Sequence, residues 1–393
     1  MVNHIFDNTA DNTLPTGQQL NVRRRADDLR AGVPVIITAK NEQNGSFDDG
    51  LLFIPSETLS DPLFNLFYDL NKATPFIILS PTRAETLHIA TKGDAAVLIK
   101  IPYNEPGNNW GAREVRHLGD PVEDLDHPFR GPFNKVTLSN PNHKTLTTTA
   151  LSLAKEARLL PAGLALELSH EDIAAVQEAI GVLSIPVDAI MDQRSKAKGC
   201  LSMVSHAKVP LLDAEETSVY MFRPSDGGAE HLAIIIGEID YDTPVLTRLH
   251  SECFTGDLLG SLKCDCGDQL KGAIEALNKN GGGVLLYLAQ EGRGIGLPAK
   301  LKAYALQDQG FDTVDANLRL GFGVDERIYG PALSMLKYLN IKEVRLMTNN
   351  PKKVEGLSGE DIKVVERVAH HFPTNQHNEQ YLDTKKTRTG HLL

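Results

Sequence analysis

Cys253, Cys264 and Cys266 lie in one polar, Gly-rich stretch, RLHSECFTGDLLGSLKCDCGDQL (248–270), with the spacing C-x10-C-x-C. The fourth cysteine, Cys200, stands apart. Zinc prefers thiolate and imidazole donors, and a catalytic zinc leaves one position open for water. Three cysteines plus water fit that rule; His250 is an alternative fourth ligand. A zinc ribbon would carry paired C-x-x-C knuckles, which are missing here. Three structural core cysteines are the plainer reading, but so polar a stretch is unusual for core packing. Water on zinc has a pKa lowered toward ~7 and can attack an electron-poor ring carbon at neutral pH. The spacing does not name the substrate.

Three further segments carry weaker signals. QEGRGIGL (290–297) follows the apolar run GVLLYLAQ. Its Gly292, Gly294 and Gly296 let the backbone approach a ligand closely, and Arg293 adds charge; a tight strand-to-helix connection would need the same glycines. In DTVDANLRLGFGVDERIYG (312–330), Asp325 and Arg327 are two apart. An Arg beside a carboxylate clamps a phosphate or makes an ordinary surface ion pair. LMTNNPKKVEGL (346–357) reads as a strand running into a turn with Lys352 and Lys353. Strand C-termini in α/β folds often face ligands, and the basic pair suits a polyphosphate.

The elements that must position these groups follow from the apolar pattern. GVLLYLAQ (283–290) and VRLMTNN (344–350) read as buried strands. TSVYMFR and HLAIIIGEI flank PSDGGAE as an antiparallel pair. Helices are expected over 268–280, 298–310 and 331–340. In the N-terminal half, ADDLRAGVPVIIT reads as a helix end, a Gly turn and a strand. LLFIP and PFIILS are strands around a helical SDPLFNLFYDLNK. TLTTTALSLAKEARLL and HEDIAAVQEAIGVL are helical, the latter with Ser169 and Asp172 placed as a capping box. Residues 104–145 read as long loops and 190–215 as a connector. The fold class expected is α/β with mixed (α+β) sheets.

The 393 residues, 41% hydrophobic and 23% charged, suit two globular domains. A net charge of -11 argues against a nucleic-acid partner. With no signal-peptide pattern and no long apolar run, no membrane partner is expected and the cytoplasm is the default location.

Taken in order, RLHSEC-x10-CDCGDQL, QEGRGIGL, DTVDAN…DER and LMTNNPKK resemble GTP cyclohydrolase II from about 205 to the C-terminal GHLL. The resemblance implies that Cys253, Cys264 and Cys266 bind one Zn2+ per chain. It implies that Arg248, Leu249, His250, Ser251, Glu252, Gln269, Glu291, Gly292, Arg293, Thr313, Thr348 and Lys353 hold GTP, with Mg2+ on its triphosphate. Asp325 matches the proposed general base, Arg327 the proposed nucleophile toward the α-phosphate, and Tyr304 a tyrosine associated with full formyl removal. The implied reaction converts GTP and water to formate, pyrophosphate and a diaminopyrimidinone ribosylamino phosphate, the first step of riboflavin synthesis, in a homodimer.

The N-terminal half faintly resembles the start of dihydroxybutanone phosphate synthase. Its acidic, Mg2+-binding run is reduced to Glu42, Asp48 and Asp49 in AKNEQNGSFDDGLL, and no later His- and Glu-bearing segments are evident. The expected organisation is a polar tail (1–20), a degenerate, non-catalytic extension (21–200) and a catalytic domain (205–393). The rival readings are a bifunctional enzyme making both riboflavin precursors, a zinc-stabilised GTP sensor without turnover, and a paralogous ring-opening enzyme of pyrimidine catabolism.

Overall fold

A computed structural model of the chain describes residues 17–40, 47–70, 72–103, 110–127, 131–137, 142–196, 201–359, 361–372, 384, 386–388, 390 and 392. In chain order the elements are α1 (Gly17–Arg30), β1 (Val35–Lys40), β2 (Phe47–Pro55), α2 (Asp61–Asp69), β3 (Phe76–Leu79), α3 (Pro81–Thr86), β4 (Val97–Lys100), α4 (Ala112–Gly119), α5 (His143–Glu156), β5 (Ala162–Ser169), α6 (His170–Ile180), β6 (Ser184–Pro186), α7 (Val187–Lys196), β7 (Leu201–Lys208), β8 (Thr217–Pro224), β9 (His231–Gly237), β10 (Val245–Ser251), α8 (Cys266–Lys279), β11 (Gly282–Leu288), α9 (Leu297–Asp308), α10 (Thr313–Arg319), α11 (Gly330–Tyr338), β12 (Glu343–Met347), α12 (Pro351–Leu357) and β13 (Lys363–Val368). The mixed α/β class is as expected.

The chain forms two compact units that do not follow a single cut in the sequence. One gathers Gly17–Arg194 with Pro298–Asp325; the other gathers Ser195–Leu297 with Glu326–Leu393. The expected catalytic segment 205–393 is therefore interrupted by 28 of its own residues, 298–325, which pack with the N-terminal half. The expected tail also ends earlier, because residues 17–20 already belong to α1; residues 1–16 lie outside the described residues.

In the first unit, six strands run in the order β4-β3-β5-β2-β1-β6. All neighbours are antiparallel except β1 and β6. The near-continuous apolar runs of β1, β2 and β3 explain why they are buried: Ile36, Ile37, Leu51, Leu52, Ile77 and Ile78 are all at 0% exposure. The Ser60 and Ser169 hydroxyls cap α2 and α6, Ser169 accepting from Asp172 N at 3.3 Å. Among the elements not expected are β5, in the middle of this sheet, the short strands β4 and β6, and α4, inside the stretch read as loops. Contacts that fix α9 and α10 in this unit are specific. Lys302 Nζ bonds Asp120 and lies 3.7 Å from Glu57. Gln309 donates to the Val122 carbonyl at 2.8 Å. Phe322, just beyond α10, is 1% exposed.

The second unit has seven strands in the order β13-β12-β10-β11-β9-β8-β7. Here β10 pairs in parallel with both β11 and β12, while β9, β8 and β7 continue the sheet antiparallel. The expected β8–β9 pair is present. The stretch 190–215, read as a connector, contributes the edge strand β7. Of the parallel strands, β10, β11 and β12 run directly into HSEC, QEGRG and TNNPKK. This is the open-sheet arrangement in which ligands gather beyond strand C-termini.

Candidate active site

Cys253 follows β10 and opens a π-helical turn, Phe254–Leu258; Cys266 is the first residue of α8. The Sγ atoms of Cys253, Cys264 and Cys266 lie within 4.8 Å of one another. Cys253 Sγ is 3.7 Å from Cys264 Sγ and accepts from Gly256 N at 3.3 Å. A Cβ on Gly256 would meet Cys264 Sγ at 2.9 Å, Cys266 Cβ at 2.9 Å and Cys253 Sγ at 3.0 Å. Residue 256 must therefore lack a side chain for the thiols to converge. Without a cation the thiols resist ionisation. Hydrogen bonding with Cys253, then burial, pushes Cys264 up to about 11. Hydrogen bonds with Cys253 and Cys264, then burial, push Cys266 well above the usual thiol range. A divalent ion would relieve that opposition, and the donor set is the soft one zinc prefers.

His250 is not in this cluster. Its Nε2 lies 3.0 Å from Asp257 Oδ1, so the alternative of His250 as fourth ligand has no support in the geometry. Asp257 also accepts from Cys253 N at 3.0 Å and from the Tyr287 hydroxyl at 2.9 Å. It joins the cysteine turn to β10 and β11. Burial holds the His250 pKa below its usual value despite Asp257. The ring is then neutral near pH 7, with Nε2–H donating to Asp257. Its buried Nδ1 has no hydrogen-bond partner among the described residues.

Arg248 is 4% exposed. It donates to the Met347 carbonyl at 3.0 Å and to Gln269 Oε1 at 2.6 Å. Burial lowers its pKa to about 10, with Asp265 and Cys266 opposing and Arg327 adding to the fall, so it stays cationic at neutral pH. Lys353 Nζ donates to the Leu249 carbonyl at 2.8 Å. Leu249 itself is core, at 0% exposure, and offers only backbone. Thr348 Oγ1 accepts from Asn350 N at the start of α12. The Ser251 Oγ is buried, and Glu252 N donates to the Leu288 carbonyl.

Glu291 braces the glycine-rich loop. Its carboxylate accepts from Phe254 N at 2.6 Å and from Gly292 N at 2.7 Å. Gly292 and Arg293 both sit in the left-handed region, φ 64 and 61. The loop passes close over the chain at 326–327: a Cβ on Gly294 would meet Glu326 at 3.0 Å, and Glu326 N donates to the Arg293 carbonyl at 3.1 Å. One unit thus brings together the three cysteines, Arg248 to Glu252, Gln269, Glu291 to Arg293, Arg327, Thr348 and Lys353. Tyr304, Thr313 and Asp325 belong to the other unit. There, the Lys300 ammonium lies 5.7 Å from the centre of the Tyr304 ring, and Thr313 Oγ1 accepts from Gln307 at 3.4 Å.

The GTP cyclohydrolase II family profile matches residues 202–369. The "GTP cyclohydrolase-2" of Azospirillum brasilense is 47% identical over 326 residues, covering 82% of this chain and 83% of that protein. The chain belongs to the GTP cyclohydrolase II family. The aligned stretch is longer than the whole of 205–393, so this family member shares much of the N-terminal half. A second GTP cyclohydrolase-2, from Pseudomonas paraeruginosa, is 52% identical over 190 residues, 48% of this chain and 92% of that one. The "Riboflavin biosynthesis protein RibBA" of Chlorobium phaeovibrioides is 41% identical over 295 residues, 72% of each chain.

Several groups were missed in the sequence. Gly256 and Asp257 carry no motif of their own; only their proximity to the cysteines marks them. In the N-terminal unit, His143 Nδ1 and Glu167 Oε1 stand 2.7 Å apart, and Asp49 acts electrostatically on both. The later His- and Glu-bearing segments of the synthase were not evident in the sequence, yet α5 and β5 do bring a His and a Glu of this half together. Asp48 lies in β2, and Glu42 lies outside the described residues.

Proposed function

We propose that the chain hydrolyses GTP to formate, pyrophosphate and a diaminopyrimidinone ribosylamino phosphate, with zinc held by Cys253, Cys264 and Cys266, in the riboflavin pathway. The observation that carries this reading is the convergence of three thiols around Gly256 at the mouth of a parallel strand pair. When bound, zinc supplies Lewis-acid activation of water near neutral pH, the chemistry that opening an imidazole ring at C8 requires.

The chain's own residues divide the remaining work. Asp257 fixes His250 as a neutral ring and ties the Cys253 turn in place. Arg248 and Lys353 provide buried positive charge for an anionic nucleotide, and Mg2+ neutralises the rest of the triphosphate. The Glu291-braced loop presents Gly292, Arg293 and backbone amides to the ligand. Arg327 acts at the phosphate end as nucleophile or as a clamp on transition-state charge, with Asp325 as its base and Tyr304 completing formyl removal. Leu249, Ser251, Glu252, Gln269, Thr313 and Thr348 complete the GTP contacts, and the working form is a homodimer. The N-terminal half makes no dihydroxybutanone phosphate, because its acidic loop, reduced to Glu42, Asp48 and Asp49, is too poor to organise Mg2+ and a sugar phosphate even with His143 and Glu167 close to Asp49. Incubation with GTP, zinc and magnesium should release formate and pyrophosphate in step; pyrophosphate without formate would contradict the ring-opening reading.

A further inference from the structure

Apart from the cysteine cluster, one other group of potential ligands converges among the described residues: His117, Glu123 and His127. All three lie in the unit of 17–194 and 298–325. We propose that they form a second metal site, of two imidazoles and one carboxylate, for a borderline divalent transition ion such as Zn2+. This goes beyond the cyclohydrolase reading and does not depend on it.

The spacing fits a small coordination sphere. The three ligand atoms lie within 4.8 Å of one another. His117 Nε2 and Glu123 Oε2 are 3.2 Å apart. A tetrahedral ion with bonds of about 2.0–2.1 Å needs ligand edges of about 3.3–3.4 Å, so the ion enters between these atoms with little adjustment. The His117 and His127 rings meet edge-on, with centroids 5.3 Å apart.

The surrounding hydrogen bonds are those of a metal-ready site. His127 Nδ1 lies 3.3 Å from the Glu123 carbonyl. That contact holds the imidazole close to the Glu123 backbone, the kind of outer hydrogen bond that orients a ligating histidine. The frame beneath is rigid. Arg83 is 0% exposed, and its guanidinium bonds both oxygens of Asp124, at 2.5 and 2.8 Å, and the Leu118 carbonyl at 2.8 Å. Asp120 Oδ1 accepts from Val122 N at 3.1 Å. The backbone on both sides of Glu123 is therefore fixed before any ion arrives.

Donor chemistry selects the ion. Two nitrogens and one oxygen disfavour Mg2+ and Ca2+, which want oxygen shells, and favour Zn2+, Co2+, Ni2+ or Cu2+. His127 and Glu123 are exposed, so water completes the shell and the ion exchanges freely. Its bound state staples the end of α4 to the turn that carries Asp120 and Asp124, the partners of Lys302 and Arg319.

The test is equilibrium dialysis of untagged full-length protein against Zn2+, counting metal per chain. Wild type should reach two zinc ions per chain, one of which a weak chelator removes. His127→Ala should reach one. Glu123→Gln, which keeps shape but loses charge, should weaken the second site by at least about tenfold. Cys266→Ser should keep the chelator-labile ion. Wild type that takes up no chelator-labile zinc would overturn the proposal, whatever the cysteines hold. So would two zinc ions in a His127→Ala protein with native circular dichroism, or loss of both ions in Cys266→Ser.

Discussion

The cysteine cluster depends on a hydrogen atom at position 256. Gly256→Ala places a methyl within 3.0 Å of Cys253 Sγ and closer still to Cys264 and Cys266. Overpacking of this kind costs ~1–3 kcal/mol. Here the least resistant response is to spread the thiols. We expect Gly256→Ala to fold, lose its tightly held zinc and drop formate release by at least tenfold. Normal zinc content in that variant, by metal analysis, would show that the cradle is unimportant. Buried histidines make a second prediction at this scale. Burial and the nearby Arg248 lower the His370 pKa to about 4, and burial lowers that of His250. The unfolded chain, with histidine near ~6.5, binds these protons first as pH falls. Stability is then full above about pH 6.5 and declines toward pH 4. The His370 share is up to about 2 kcal/mol at pH 5. Urea midpoints at pH 7 and pH 5 measure it, and His370→Gln should flatten the difference.

Elements differed in how plainly the sequence announced them. Strands β1, β2, β3, β11 and β12 were legible because long apolar runs leave few alternatives. Helix α6 was legible through its cap. Strand β5, AGLALELS, was not, because Gly and Ala carry little strand signal. Its Gly163 is there for packing: a Cβ would meet the Ile54 carbonyl at 2.3 Å. Strand β7 is a mostly exposed edge with no clean alternation. Helix α4 was hidden among Pro, Gly and Asn. Motif residues on the strand ends could be read because their types and spacing are local. Asp257 and Gly256 could not, because their roles arise only when the turn closes on β10 and α8. The docking of α9 was equally invisible, resting on Lys302 meeting Asp120 and Glu57 across a long sequence gap. A double-mutant cycle of Lys302→Met and Asp120→Asn, read by urea unfolding, should give a coupling of ~1 kcal/mol. Additive losses would show that the pair does not hold the helix.

At the scale of the molecule, the N-terminal half is more than an appendage. It shares a compact unit with residues 298–325, burying Leu306 at 0%, Leu320 at 1% and Phe322 at 1% exposure. Removing residues 1–200 uncovers apolar surface on a segment that belongs, by family, to the cyclohydrolase. The Pseudomonas relative, matched over 92% of its length by 190 residues, shows that family members of about that size exist. In this chain the segment packs in one unit with its N-terminal neighbour. We expect the truncated protein to aggregate or to unfold at lower urea, while its cysteines still take up zinc. A soluble truncated protein with an unchanged unfolding midpoint would count against this account.

The central claim is that ring opening depends on metal held by the three thiols. Metal content and formate release, measured on the same wild-type and Cys266→Ser preparations after dialysis against a weak chelator, test it directly. The account predicts one retained zinc and steady formate release from GTP in wild type, and neither in Cys266→Ser with an unchanged circular dichroism spectrum. Formate release at the wild-type rate from Cys266→Ser lacking zinc would contradict it.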